Sequence, residues 1–241
     1  MKIANSIDLI RRGTFAESAE WQRIRASIHD AIKQAEWPVG RGQFIIYPES
    51  GKKSGQGNGV VPIKAKPMQL LKADDWILEY PWSITTRSEE QEAEQQEKSR
   101  KGSKPGNIDA AKEFDQGLVV VEWETGNVSS SHRSINKMAL GLIQGKCIAG
   151  VLVVPNMKLA RYLTDRIGNI EELTPYFPVW RKLDVEGVLE LIVIEQDDES
   201  LDVPKIPKGK DGRSKEGAAK AQKKKRQKRR KQVGLGKRPR A

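Results

Sequence analysis

Cysteine is all but missing from this chain. Cys147 stands alone among 241 residues, so no intramolecular disulfide can brace the fold, and a cytoplasmic protein is expected. Long apolar runs are missing too. No stretch reads as a membrane span, and the first residues lack the apolar core of an export leader. The Gly/Lys/Ser stretch 51–59 lacks the spacing of a phosphate-binding loop and reads as a flexible surface loop. His29 sits on a helical pattern with no second ligand nearby and reads as an ordinary helix histidine.

A net positive charge is absent from most of the chain. From Lys205 onward there are 17 Lys/Arg against two Asp/Glu, a net +15, which leaves the preceding residues at −4. Lys223-Lys-Lys-Arg226 and Gln227-Lys-Arg-Arg-Lys231 carry no apolar stripe, so the segment is expected to be disordered alone and to bind phosphates. The remaining length suffices for one core. A helix is expected over Ala16–Glu36, short strands over Gln43–Tyr47 and Asp75–Tyr80, and a short helix over Pro67–Ala73. Ser88–Pro105 is nearly without apolar residues and reads as a solvated insertion. Trp21, Trp37, Trp76 and Trp82 are expected to pack.

The informative stretch is Gly106–Gly126. Leu118–Trp123 is apolar and β-branched except for Glu122, and Glu124 follows at period two, so both carboxylates share a face of a strand. A buried sheet tolerates two like charges poorly, and a hard divalent cation such as Mg²⁺ with oxygen ligands relieves the repulsion. If Asp115-Gln116 is a two-residue turn, Asp109 lies opposite Glu122 and three carboxylates converge. If Gly117 instead closes a bulged three-residue loop, Asp109 slides opposite Trp123. Both registers remain open at this level.

After Glu124 the period becomes helical. Ser129–Ser131 offer N-caps, and Ile135, Met138, Ala139, Leu142 and Ile143 form one stripe, with His132, Arg133, Asn136 and Lys137 on the wet face. Ile148–Val154 is a buried strand, Met157–Ile167 is expected to be helical, and Leu189–Ile194 reads as the last strand. Pro204 and Pro207 open a linker.

Asp109, a hairpin turn and Glu122-Trp-Glu124, followed by a helix with Arg133 and an apolar strand, resemble the PD-(D/E)xK nucleases, and within them the BglII/BamHI-like type II restriction endonucleases. Glu124 stands where most such nucleases carry lysine. The resemblance implies an α/β fold with a mixed central sheet flanked by helices, in a nuclease domain over 1–203 with the basic tail at 204–241. It implies Mg²⁺-dependent double-strand cleavage of DNA at a short palindrome with a GATC centre, by a homodimer, in company with a methyltransferase acting on the same site. Asp109, Glu122 and Glu124 would be metal ligands and catalytic residues. Asn127, Ser129, Arg133, Asp165 and Arg166 would face the bases, with Lys223, Lys224, Lys225 and Arg226 on phosphates. Two other readings are a non-catalytic nucleic-acid-binding protein and a repair or junction nuclease of the same core.

Overall fold

The computed structural model describes residues 1–52, 56–82, 106–164 and 167–208. The expected insertion over Ser88–Pro105 therefore lies wholly outside the described residues, as does nearly all of the basic tail. The elements are β1 (Lys2–Arg12), α1 (Ala19–Lys33), β2 (Ile45–Ile46), α2 (Val61–Ala73), β3 (Ile77–Tyr80), β4 (Ile108–Phe114), β5 (Gly117–Trp123), α3 (Val128–Ile143), β6 (Ala149–Pro155), α4 (Met157–Ala160), α5 (Ile170–Leu173), α6 (Phe177–Arg181), β7 (Gly187–Glu195) and β8 (Asp198–Glu199).

Six strands form one mixed sheet in the order β1-β7-β6-β5-β4-β3. β5, β6 and β7 run parallel at its centre, flanked by antiparallel β4 and β3 on one side and β1 on the other. β6 is buried along its whole length, as an apolar strand covered on both faces must be. One face packs Trp21, Ile28 and Ile32 of α1 and Ile63 and Leu71 of α2. The other packs Ile135, Met138 and Leu142 of α3 with Leu173, Phe177 and Trp180.

The structure corrects several expectations. β1 was not anticipated: register shifts at Ile3/Asn5 and Asp8/Ile10 break its period-two signal. α2 begins six residues before Pro67, which sits inside the helix. The helix expected over Met157–Ile167 is a single turn, α4. Ser18 caps α1 by accepting the Trp21 N–H at 3.0 Å, so the helix starts later than Ala16. Ile143, placed on the α3 stripe, is half exposed. His29 does have a neighbour: it lies 3.8 Å from Glu190, a fully buried carboxylate whose partner is Arg25 at 2.7 Å.

The stretch read as a surface loop is pinned. Gly57 donates its N–H to Glu49, and Asn58, fully buried, donates to the carbonyls of Tyr47 and Tyr162, each at 2.9 Å. Asn58 Oδ1 in turn accepts the Ile206 N–H at 3.1 Å. Pro204–Lys208, read as the opening of the tail, is thereby attached to the body. Ile206 is buried, the Pro204 carbonyl accepts the Trp37 indole N–H at 2.8 Å, and Lys205 pairs with Glu49.

A chain ended after Val203 loses the burial of Ile206 and leaves Asn58 Oδ1 without its donor. These effects together should cost about 3–5 kcal/mol. A chain ended after Lys208 should unfold at the same urea concentration as the full chain. Equal urea midpoints for the two truncations would mean that the Ile206 anchor contributes nothing.

Candidate active site

The hairpin register follows from its turn. Phe114 pairs with Gly117 and Ala110 with Val121 across a two-residue turn, and Gly117 takes a φ of +136° that a side chain at that position would oppose. The bulged alternative is excluded. Beyond Ala110 the backbone ladder gives way to a side chain: Asp109 Oδ2 accepts the Trp123 N–H at 2.8 Å. Its other oxygen receives Lys64 Nζ, from α2, at 3.2 Å.

Glu122 lies on β5 between β4 and β6, paired with Leu152. Alternation from Val120, which packs with Ile135 and Met138, directs it towards α3. There it meets Lys137. The Lys137 ammonium pairs with Glu122 and donates to the Asn107 carbonyl at 2.8 Å. Lys137 is only 5% exposed, so its expected place on the wet face is wrong. No helical wheel could show this, because a buried lysine is acceptable only when an acid stands opposite it. The signal available in sequence was the unexplained burial of Glu122.

Glu124 is held by the start of α3. Its Oε1 accepts the Gly126 N–H at 2.6 Å, and its Oε2 faces the Ser134 hydroxyl at 3.4 Å. The Gly126 carbonyl accepts the Gly168 N–H at 2.8 Å. A Cβ at Gly168 would come within 3.0 Å of the Val128 backbone, so only glycine lets this segment lie so close. The helix N-cap is Asn127, whose Oδ1 accepts the Ser130 N–H at 3.1 Å; Ser129–Ser131 are not the caps.

The two glutamates feel their acidic neighbours. Burial pushes Glu122 up to about 7 despite Lys137, with Asp109 and Glu124 adding to the rise. Burial also raises Glu124, partly offset by Gly126, and Asp109 raises it further. Yet each carboxylate is engaged by its own partner, and among the described residues no three His, Cys, Asp or Glu side chains form a metal-holding group.

Of the residues expected to face bases, Ser129 and Arg133 are exposed on the first turns of α3 and Asn127 is half-buried. Arg133 is near enough to Glu124 to lower its pKa. Asp165, Arg166, Lys223, Lys224, Lys225 and Arg226 lie outside the described residues.

Comparison with known proteins extends the picture. Residues 1–213 match the family model described as restriction endonuclease BamHI. The chain is 43% identical over 192 residues to the type II restriction enzyme OkrAI of Oceanobacter kriegii, covering 79% of this chain and 89% of that one. It is 38% identical over 200 residues to the type II restriction enzyme BamHI of Bacillus amyloliquefaciens, covering 80% and 82%. Among solved structures, that of BglII complexed with a DNA 16-mer superimposes with a TM-score of 0.52 at 12% identity, covering 82% of this chain and 79% of that one.

The raised pKa of Glu122 makes stability depend on pH. Unfolded, the group titrates near 4.5; folded, near 7. Its contribution is therefore full below pH 4.5 and is lost as pH rises towards 7. In chelator, Glu122→Gln should flatten the fall of the melting temperature between those limits. A slope identical to the parent's would show that Glu122 is not the group responsible.

Proposed function

The chain belongs to the BamHI restriction endonuclease family, and from that membership we propose that its site-specific DNA cleavage is Mg²⁺-dependent hydrolysis at a short palindrome, performed by a homodimer. It is a type II restriction endonuclease, with a mixed sheet flanked by helices similar to that of BglII. The observation that carries the mechanistic reading is the convergence of Asp109, Glu122 and Glu124 at the open end of the β4–β5 hairpin, where Asp109 accepts the N–H of Trp123, the residue between the two glutamates, and the burial of both glutamates raises their pKa. Three hard oxygen donors whose charges repel one another suit a dication of Mg²⁺ type. When bound, such an ion lowers the pKa of water and offsets charge on the scissile phosphate. Asp109 and Glu122 would hold it from adjacent strands. Glu124, steered by Gly126 and Ser134, is the candidate for orienting or deprotonating the attacking water.

Cutting both strands of a palindrome calls for two such sites related by a two-fold axis. One surface suits a second copy of the chain. His132 and Asn136 of α3 meet Tyr176 and Trp180, with His132 and Tyr176 edge to face at 4.5 Å and Val179 exposed beside them. An enzyme that cuts a short sequence endangers its host's own copies of it. A methyltransferase acting on the same site, in the cytoplasm, is the proposed companion.

Digestion of a plasmid of known sequence tests the reading. With Mg²⁺ or Mn²⁺ it should give discrete fragments; with Ca²⁺, inhibition. Alanine at Asp109, Glu122 or Glu124 should abolish cutting while DNA binding persists. The complex with a palindromic duplex should sediment as a dimer. Undiminished cutting in excess chelator would overturn the metal site, and a monomer that makes double-strand breaks would overturn the dimer.

Arg133 and Asn127, beside the site and at the head of α3, are proposed as base readers, with Ser129, Asp165 and Arg166. Arg133→Ala should cost about 1–3 kcal/mol of discrimination between the cognate site and single-base variants. Equal weakening on cognate and random DNA would make Arg133 a phosphate contact instead. The basic tail, including Lys223–Arg226, is proposed as a phosphate binder without sequence preference. A chain ended after Lys208 should cut the same sequence with a shallower salt slope, by about 0.9 for each phosphate it no longer neutralises. An unchanged slope would leave the tail without that role.

A further inference from the structure

Strand β5 brings acids to the site and no base, since Glu122 and Glu124 are separated only by Trp123. The cations come from elsewhere. Lys64 of α2 reaches Asp109 and Lys137 of α3 reaches Glu122. The two differ in kind. Lys64 is 40% exposed at its side chain and half in solvent, whereas Lys137 is 5% exposed and held at both ends of its reach. Its stem leaves a helix face where Ser134, Met138 and Gly141 are buried, and its ammonium spans Asn107, two residues before Asp109, and Glu122. It thus ties β5 to the residue that leads into β4, the strand of Asp109.

The contact with Glu122 is an ion pair, and a second cation can occupy the same carboxylate oxygen. Lys137 also donates to the Asn107 carbonyl, which keeps one partner for the ammonium if Glu122 turns away. Among the described residues the three acids stand close without forming a metal-holding group, because Lys64 holds Asp109, Lys137 holds Glu122, and Gly126 and Ser134 hold Glu124.

We propose that Lys137 is the resident counter-ion of the active site and that its ammonium and the divalent metal are alternative partners of Glu122, so that metal loading is an exchange of cations. Lys137 is then a positioning residue. It keeps Glu122 aimed into the site while no metal is present, and on exchange it falls back on Asn107 without leaving. This rests on the carboxylate metal site proposed above.

The sign of a single measurement separates this role from that of a mere pillar. Lys137→Gln removes a positive charge beside the metal position, and a unit charge at such range counts for an order of magnitude or more in affinity. Titrated with Mn²⁺ and followed by electron paramagnetic resonance, the full-length Lys137→Gln protein should bind about tenfold tighter than the parent. Its melting temperature in chelator should be lower, and Mn²⁺ should raise it by more than it raises the parent's. Lys137→Arg, which keeps the charge, should restore the parent's affinity to within about twofold. A pillar predicts lower stability with equal or weaker metal binding, and that result would overturn the proposal.

Should the glutamine variant not fold, the parent supplies the answer. The Lys137 ammonium signal in ¹⁵N-detected spectra, assigned by its loss in the arginine variant, should shift when Ca²⁺ is added. A signal unmoved at saturating Ca²⁺ would overturn the exchange. A parent protein that binds neither ion would overturn the metal site itself along with it.

Discussion

A carboxylate cannot be placed in the middle of an apolar sheet without a cation to meet it, and Glu122 is such a carboxylate. It sits on a central strand, between β4 and β6 and under α3, at 6% exposure. Burial alone drives it towards the neutral form. Much of the surrounding architecture answers that demand. The helix that covers the strand carries its lysine in its third turn, where the side chain points inward, and Asn107, just before β4, offers its carbonyl to the lysine. Breaking such a buried pair by removing one partner leaves the other stranded, at a cost of about 3–5 kcal/mol. The apolar stripe of α3 is therefore interrupted because the chemistry requires it, and the polar residue there belongs to the interior.

The same helix fixes a second acid through its beginning. A helix start leaves N–H groups without intrahelical partners. Asn127 takes one of them through Ser130, and Gly126, just before it, gives its own N–H to Glu124. Ser134, further along the helix, reaches the other oxygen. Because Gly168 donates back to Gly126, the loop that precedes α5 is docked on the backbone that steers Glu124. Asp165 and Arg166 lie three and two residues before Gly168. Gly168 is thus joined to a site carboxylate through two consecutive hydrogen bonds, by way of Gly126. Neither glycine leaves room for slack: a Cβ at Gly126 would come within 2.5 Å of the Glu124 carboxylate.

What could be read from sequence follows from which forces are local. β5, β6 and β7 are runs of β-branched residues buried on both faces, and such runs are plain in one dimension. The Asp115-Gln116 turn set the hairpin register once Gly117 was known to follow the turn rather than to bulge it. The acids themselves were legible because charge inside such a run is anomalous. β1 was not, since its two register shifts scramble the alternation that marks a strand. Lys137 was not, since a lysine on a helix is ordinarily solvated and its partner lies on another strand. Asn58 and Ile206 were missed for a related reason. Glycine and lysine around Asn58, and prolines around Ile206, signal loops locally, but the two residues meet 148 positions apart and are buried together.

The distribution of charge follows from the same constraint. A body of net −4 that concentrates three acids at one edge repels a phosphate backbone there until cations are supplied. Lys64 and Lys137 supply two within the site, but both are committed to the acids and neither is spare for DNA. Attraction over longer range has to come from elsewhere, and the +15 of the last 37 residues is the available source. It begins at Lys205, within the stretch that Ile206 clasps to Asn58, and lies mostly outside the residues that match the family model, 1–213. Phosphate binding by that segment, as proposed, would leave the geometry of Asp109, Glu122 and Glu124 undisturbed. Placing the same positive charge on the body would put competing cations within reach of Asp109, Glu122 and Glu124, where a divalent ion has to win.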